Sequence, residues 1–339
     1  MKAAIIGSGL QCRRRAPVIF NDQDVTLAII AGTEERNANH IAVQYGAKFT
    51  LDWREILDDS SIDLVLVCTP PHLHAEMTIA CLESGKHVLC EKPLCSTLEE
   101  ADFMLAAAKK NCKVLKCGFN HRHHPAIWEA KQRLDKGELG EPMFCRCRYG
   151  IIGRPDYADE WRADPTKTPG GQFIEQGTHA IDLFRWFLGE LVEVSCMTST
   201  HYFKDQKMDD GGMAIFRAVN GATASLHTTL TQWKNLFSFE YFGTEGYAMI
   251  EGLGGGYGTE KLIVGRKHFS KPFQDQITHY RGGDKSWKAE WDEFILSIRE
   301  ERSPIGDGAD GRAAMQLSLA AYQAEREQKV LTVPASIAK

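Results

Sequence analysis

The segment Lys2-Ala3-Ala4-Ile5-Ile6-Gly7-Ser8-Gly9-Leu10-Gln11-Cys12 decides how the rest of the chain is read. A short apolar run ended by glycine reads as a buried strand, and the two glycines let the backbone turn tightly into a helix. A helix beginning at such a turn directs unsatisfied N–H groups and a partial positive charge at its entrance, which suits a pyrophosphate. Gly7 and Gly9 hold the first two positions of the three-glycine dinucleotide fingerprint, Leu10 follows them, and Cys12 stands at the third. That third position serves close helix-to-strand packing, and cysteine is small enough for it.

Outward from this segment, apolar runs at Thr26–Ala31, Leu64–Val67, 87–89 and 113–117 alternate with amphipathic stretches. One of these, 98–109, follows the capping box Thr97-Leu98-Glu99-Glu100. Strands alternating with helices predict a parallel, doubly wound sheet. After Asn120 the pattern changes to a helix at 125–136, a strand at 143–149, a loop rich in Pro and Gly, and a helix at Gln172–Leu188. Strands follow around 192–202, 213–219, 223–231, 237–243 and 248–251, then two closing helices. The expected architecture is an α/β Rossmann domain over 1–119 and an α+β domain over 120–339 with a largely antiparallel open sheet. Such a sheet keeps one face for packing, so a homodimer or homotetramer through it is expected.

Composition agrees with two ordinary globular domains: 339 residues, 43% hydrophobic and 25% charged. A net charge of −5, with one short basic run at Arg13-Arg14-Arg15, gives no field favouring nucleic acid or anionic lipid. A small molecule is the expected partner. No apolar stretch approaches the roughly 20 residues that span a bilayer, and the N-terminus reads as a strand, not a secretory signal. Several of the ten cysteines, Cys68 and Cys90 among them, lie in apolar runs. Buried thiols fit a reducing compartment, so a cytoplasmic protein is expected. No zinc-type cysteine pairs occur and no metal is expected.

After the second strand comes Ala31-Gly32-Thr33-Glu34-Glu35-Arg36, without the carboxylate that usually receives the ribose hydroxyls at the strand tip. Thr33 and Arg36 can meet a 2′-phosphate, and Glu34 can take the ribose role. NAD(P) is therefore expected, with a slight lean to NADP. Cys68-Thr69-Pro70-Pro71-His72-Leu73-His74 and Glu91-Lys92-Pro93 follow two other strands, at the carboxyl edge where open α/β sheets bind ligands. Thr69, Pro70, His74, Glu91 and Lys92 thus join the nucleotide contacts. A lysine there can hydrogen-bond a substrate oxygen and stabilise an alkoxide. In the Pro/Gly-rich loop, the Trp161 indole can cover a nicotinamide face and the Arg162 guanidinium can bind phosphate or carboxylate.

Helical spacing over 172–188 puts Ile174, Gly177, Ile181, Phe184 and Leu188 on one stripe and Glu175, His179 and Asp182 on another. Oxidising an alcohol needs a base for the hydroxyl proton, and imidazole suits that near neutrality. Glu175 and Asp182 are then candidates to contact substrate or orient the ring.

Together with Gly118-Phe119-Asn120-His121-Arg122, the run Gly170-Gly171-Gln172-Phe173-Ile174-Glu175-Gln176-Gly177-Thr178-His179-Ala180-Ile181-Asp182 and the closing Gly306-Asp307-Gly308-Ala309-Asp310-Gly311, these motifs extend over nearly the whole chain. They resemble the Gfo/Idh/MocA family of glucose-fructose oxidoreductases and inositol dehydrogenases. The resemblance implies hydride transfer to or from a sugar, nucleotide sugar or cyclic polyol, with Lys92 beside the nicotinamide and His179 as base. It also implies Asn120 near the cofactor and Arg122 near the substrate. Position 175, usually an aspartate touching substrate in the family, is Glu175 here. Two other activities share the fold: NAD-dependent glycoside hydrolysis and non-catalytic sugar sensing. A sensor need not keep both lysine and histidine, and this chain has both.

Overall fold

The computed structural model describes residues 1–204 and 206–335 and divides into two compact units, Met1–Phe119 with Trp287–Arg312 and Asn120–Ser286 with Ala313 onward. The first unit runs β1 (Lys2–Ile6), α1 (Leu10–Phe20), β2 (Thr26–Ala31), α2 (Glu35–Gln44), β3 (Lys48–Thr50), α3 (Glu55–Asp58), β4 (Leu64–Val67), α4 (His74–Glu83), β5 (His87–Cys90), α5 (Leu98–Lys110) and β6 (Leu115–Cys117). Its sheet has the order β3-β2-β1-β4-β5-β6 with every pair parallel. Because β1 lies between β2 and β4, chain order reverses there, and the turns after β1 and β4 open side by side. Every residue of β4 is buried, as a strand covered on both faces requires. The capping box forms: Glu100 N–H donates to Thr97 Oγ1 at 3.2 Å and Thr97 N–H to Glu100 Oε2 at 2.9 Å.

Segment 287–312 belongs to this first unit, whereas the sequence reading assigns all of 120–339 to the second. Trp291, Phe294 and Ile295 pack into one core with Ile5, Ala16, Leu66 and Leu89. An amphipathic helix shows that it has a buried face but carries no mark of which core receives it.

The second unit runs α6 (Pro125–Asp135), β7 (Pro142–Ile152), α7 (Gln172–Leu188), β8 (Leu191–Ser199), β9 (Gly211–Ala218), β10 (Thr223–Thr229), β11 (Thr231–Gly243), β12 (Gly246–Glu251), β13 (Glu260–Arg266) and β14 (Asp275–Tyr280). Then come α8 (Ser286–Arg299), nearly all of it in the first unit, α9 (Gly308–Glu327), whose first turn lies there too, and β15 (Leu331–Thr332). The nine-stranded sheet has the order β14-β13-β12-β11-β7-β10-β9-β8-β15. Neighbours are antiparallel except β7 and β10, which are parallel because α7 and a hairpin intervene between them. Helix α7 packs on β7, β9 and β10. Gly177 permits the close approach, since a Cβ there would lie 3.2 Å from Leu226. Met197, Met213 and Ile215 are exposed on β8 and β9. Strands β3, β13, β14 and β15 are not anticipated by the sequence reading: β3 has three residues and β15 two, β14 is almost wholly exposed and polar, and β13 follows a glycine-rich stretch.

Candidate functional site

In the first unit, Gly7 has φ +105°, a conformation that favours glycine, and a Cβ there would stand 2.6 Å from the Cys68 carbonyl oxygen. Gly9 is the N-cap of α1 and supplies no side-chain cap, so the first N–H groups of that 11-residue helix are left for another acceptor. A Cβ on Gly9 would meet nothing within 4 Å. An uncapped helix start fronted by open space fits a dinucleotide pyrophosphate, with Leu10 exposed beside it. Thr33, Glu34 and Arg36 are exposed after β2, and Glu34 Oε2 accepts from Asn37 Nδ2 at 2.5 Å. Thr69 and Pro70, after β4, are half-buried.

Glu91 is held more firmly than the sequence implies. Its Oε1 accepts from Arg15 Nε at 2.9 Å and Nη2 at 2.7 Å, while Arg15 Nη1 donates to Glu290 Oε2. All three side chains are buried. Burial alone would lower the Arg15 pKa, but Glu290 and Glu91 hold it above its ordinary value. Burial pushes Glu290 upward against the opposing pull of Arg15 and Lys116. Glu91, expected among the nucleotide contacts, has its side chain turned to Arg15 in the interior and anchors the strand end from which half-buried Lys92 projects. The Lys92–Pro93 peptide is cis. His74 is likewise turned inward: Nδ1 lies 2.9 Å from Pro93 O and Nε2 2.8 Å from Thr69 O, so the ring braces the turns after β4 and β5. Burial lowers its pKa, although hydrogen bonds to those carbonyls oppose the shift. Arg15, read in sequence only as part of a basic run, and Glu290 are missed by that reading; 275 positions separate them.

In the second unit, each member of the polar stripe on α7 meets a partner from another segment. Glu175 Oε1 accepts from Arg162 Nε at 3.4 Å, and Arg162 Nη1 also donates to Glu160 at 3.1 Å. The guanidinium lies 4.3 Å from the centre of the Trp161 ring. Burial would lower the Arg162 pKa, yet Glu175 and Glu160 hold it above its ordinary value. Asp182 receives Arg122 Nε on Oδ2 at 2.7 Å and Nη2 on Oδ1 at 2.5 Å. His179, one turn from each carboxylate, is buried and stacks on His121. Asn120 donates from Nδ2 to Ser286 Oγ at 2.8 Å. Asn120 and Arg122, expected at cofactor and substrate, therefore have interior partners in the structure.

One support of α7 has no sequence signal. The helix begins at Gly171 without a cap of its own, and Asp209 supplies one from the loop before β9. Its carboxylate accepts from Gly171 N–H at 3.1 Å, Phe173 N–H at 2.7 Å and the Tyr322 hydroxyl at 2.6 Å. Among the described residues, no group of three or more His, Cys, Asp or Glu could hold a metal ion, and no helix is long and apolar enough to cross a membrane.

A parallel sheet in this strand order with an uncapped glycine turn, joined to a unit whose central helix carries a histidine between two carboxylates, defines a two-domain oxidoreductase with an NAD-binding Rossmann fold. The chain belongs to the Gfo/Idh/MocA family: the model of the oxidoreductase family with NAD-binding Rossmann fold matches residues 1–119, and that of the GFO/IDH/MocA C-terminal domain matches 127–249. Levoglucosan dehydrogenase of Pseudarthrobacter phenanthrenivorans is 32% identical over 246 residues, 64% of this chain and 63% of that relative, so the aligned part spans under two thirds of it. Myo-inositol 2-dehydrogenase of Thermotoga maritima is 25% identical over 341 residues, 97% of each chain. A solved structure of levoglucosan dehydrogenase in complex with NADH and levoglucosan superposes with a TM-score of 0.89 at 26% identity, covering 98% of this chain and 99% of the other.

Proposed function

We propose that this enzyme moves hydride between NAD(P) and a secondary hydroxyl or keto carbon of a sugar or cyclic polyol, with His179 as the general base. The observation that carries the reading is the stripe on α7. Both carboxylates flanking His179 are engaged by arginines, Glu175 by Arg162 and Asp182 by Arg122. The imidazole is then the member suited to carry a proton near neutral pH. When bound, the nicotinamide supplies or receives the hydride. Gly7, Gly9 and Leu10 at the start of α1 would hold the pyrophosphate, with Thr69, Pro70 and Trp161 as further residues for the cofactor. Lys92, set by the buried Glu91, steadies the developing alkoxide. Glu175 meets the substrate with its charge shared by Arg162.

Similarity to levoglucosan and inositol dehydrogenases supports a ring-shaped polyhydroxy substrate. Of the two cofactors we assign NADP a slight lead, because Gly32 stands where a carboxylate would repel a 2′-phosphate and Arg36 is exposed nearby. The exposed Met197, Met213 and Ile215 support association of copies through the C-terminal sheet as a homodimer or homotetramer. Ten free cysteines, all but Cys112 buried, support a cytoplasmic setting.

The test is absorbance of NAD(P)H against a panel of inositols and anhydrosugars, with His179→Ala beside the parent enzyme. Turnover of the variant should fall by about 10² to 10⁴, as for a lost general base, with NADH affinity unchanged by fluorescence titration. Equal turnover in the two proteins rejects His179 as base. NADH binding without substrate-dependent reduction rejects the dehydrogenase reading.

A further inference from the structure

His121 and His179 lie face to face, with ring centroids 3.8 Å apart and planes inclined by 20°. His121 Nδ1 faces Asn120 Oδ1 at 3.2 Å, and Nε2 faces the Tyr149 hydroxyl at 3.0 Å. The tautomer follows from the far end of this chain of hydrogen bonds. A carboxylate only accepts, so the Ser286 hydroxyl donates to Asp284 Oδ1, at 2.6 Å. The Ser286 oxygen then accepts from Asn120 Nδ2, which turns the Asn120 carbonyl oxygen toward His121. Nδ1 of His121 must therefore carry the hydrogen, and in the neutral ring Nε2 accepts from Tyr149. If Nε2 gains a proton, it donates to the Tyr149 oxygen, and the Tyr149 hydroxyl can turn to Tyr257, 3.5 Å away. His121 is thus built to hold either charge state without losing a hydrogen bond.

The geometry points to His121 as the positioning residue of His179: the stacked pair carries one proton between them, taken first by His121. This rests on His179 being the base. Two imidazolium rings in van der Waals contact repel, so the second proton is excluded until much lower pH. The surrounding charges are largely paired. His124, edge-on to His121 at 5.6 Å, has Nδ1 on Glu260 at 3.0 Å and Nε2 4.0 Å from Asp284. Arg122 engages Asp182, Arg162 engages Glu175, and Phe237 and Tyr149 supply uncharged ring faces. A proton on His121 keeps His179 neutral, and so able to act as base, at pH values where a lone imidazole would be charged. When His179 takes the substrate's proton, His121 releases its own. The Nε2 proton passes to the Tyr149 oxygen, while the Tyr149 proton passes to half-buried Tyr257 and on to water.

The test is NMR of histidine-labelled full-length protein, following the His179 ring from about pH 4 to 9, in the parent and in His121→Phe, which keeps a ring but cannot hold a proton. His179 should protonate about one pH unit higher, or more, in the variant, and the acid limb of kcat/KM should move up with it. Should His121→Phe not fold, Tyr149→Phe serves: it removes the hydrogen-bond partner that stabilises charged His121, and His179 should again titrate higher. An unchanged His179 midpoint in a folded variant overturns the proposal. The NMR readout is independent of turnover, so an error in naming His179 as base shows in His179→Ala kinetics and not here.

Discussion

Arg122 and Asp182 form a buried two-point ion pair, Nε to Oδ2 at 2.7 Å and Nη2 to Oδ1 at 2.5 Å. It ties the short 3₁₀ turn Asn120–His123 to α7. The turn that presents His121 and the helix that presents His179 are therefore registered by this ion pair as well as by their ring stack, with the Arg122 guanidinium also 5.2 Å from the Trp186 ring centre.

Breaking that pair from one side leaves a buried charge without its counterion, which costs roughly 3–5 kcal/mol. Asp182→Ala is expected to lower the melting temperature and to reduce turnover, because the stacked imidazoles lose their common anchor. The double change with Arg122→Met should recover much of the stability but little of the activity. Thermal unfolding of the two single variants and the double variant forms a cycle. Additive losses would show that the residues act independently and that the pair does not register the helix.

Asp209 acts on α7 from its other end. Asp209→Ala removes the acceptor of Phe173 N–H and of the Tyr322 hydroxyl, leaving those buried donors unmet, while Gly171 N–H keeps the Tyr322 oxygen at 3.1 Å. A lost helix cap costs about 1–2 kcal/mol, with more for the orphaned hydroxyl. Asp209→Asn keeps one acceptor oxygen and should fall between the parent and the alanine variant. Denaturant unfolding measures the order; an alanine variant as stable as the parent would show that water replaces the cap.

Much of this was open to sequence reading because it rests on local rules. The helix at 172–188 has both its stripes within one contiguous run, and the Thr97 cap sits three residues from its Glu100 partner. The glycine turn after β1 is recognisable because Gly7 needs a backbone that only glycine adopts cheaply. What escapes is direction and distance. Glu91, His74 and Arg122 belong to recognisable motifs, yet their side chains point into the protein, since a motif places a residue near a site without saying which way it faces. Arg15 finds Glu290, and Asp209 finds Gly171 and Tyr322, only once the chain is folded. The same holds for segment 287–312, whose apolar face matches either core until packing decides.

His87 gives a stability prediction tied to pH. It opens β5, and its Nδ1 accepts from Val114 N–H at 3.0 Å, a bond that only the unprotonated nitrogen can receive. Burial, and then the charge of Lys113, push its pKa down from 6.5 to about 4. A folded pKa below the unfolded one means that the stabilisation is fully present above about pH 6.5 and is lost as pH falls toward 4. For this half-exposed ring the loss is roughly 1–2 kcal/mol after discounting for solvent screening. Urea unfolding at pH 7, 5 and 4 should show a steeper decline for the parent than for His87→Gln. Parallel declines would mean that the ring titrates alike in both states.

The end of β2 offers a test of cofactor preference in which two residues pull in opposite directions. Arg36, exposed on the first turn of α2, can reach a 2′-phosphate, and a lost hydrogen bond between charged groups costs about 1.5–3 kcal/mol. Arg36→Ala should therefore weaken NADPH binding by about ten-fold or more while changing NADH less than about two-fold. Glu34 is the N-cap residue of α2 and shares its carboxylate with Asn37, so it can accept from a ribose diol but repels a phosphate. Glu34→Gln should accordingly weaken NADH and spare or improve NADPH. Fluorescence titration of both nucleotides against both variants gives four affinities. If Arg36→Ala weakens the two nucleotides equally or not at all, Arg36 does not recognise a 2′-phosphate. The remaining recognition at the strand tip is then that of Glu34, and the preference belongs to NAD.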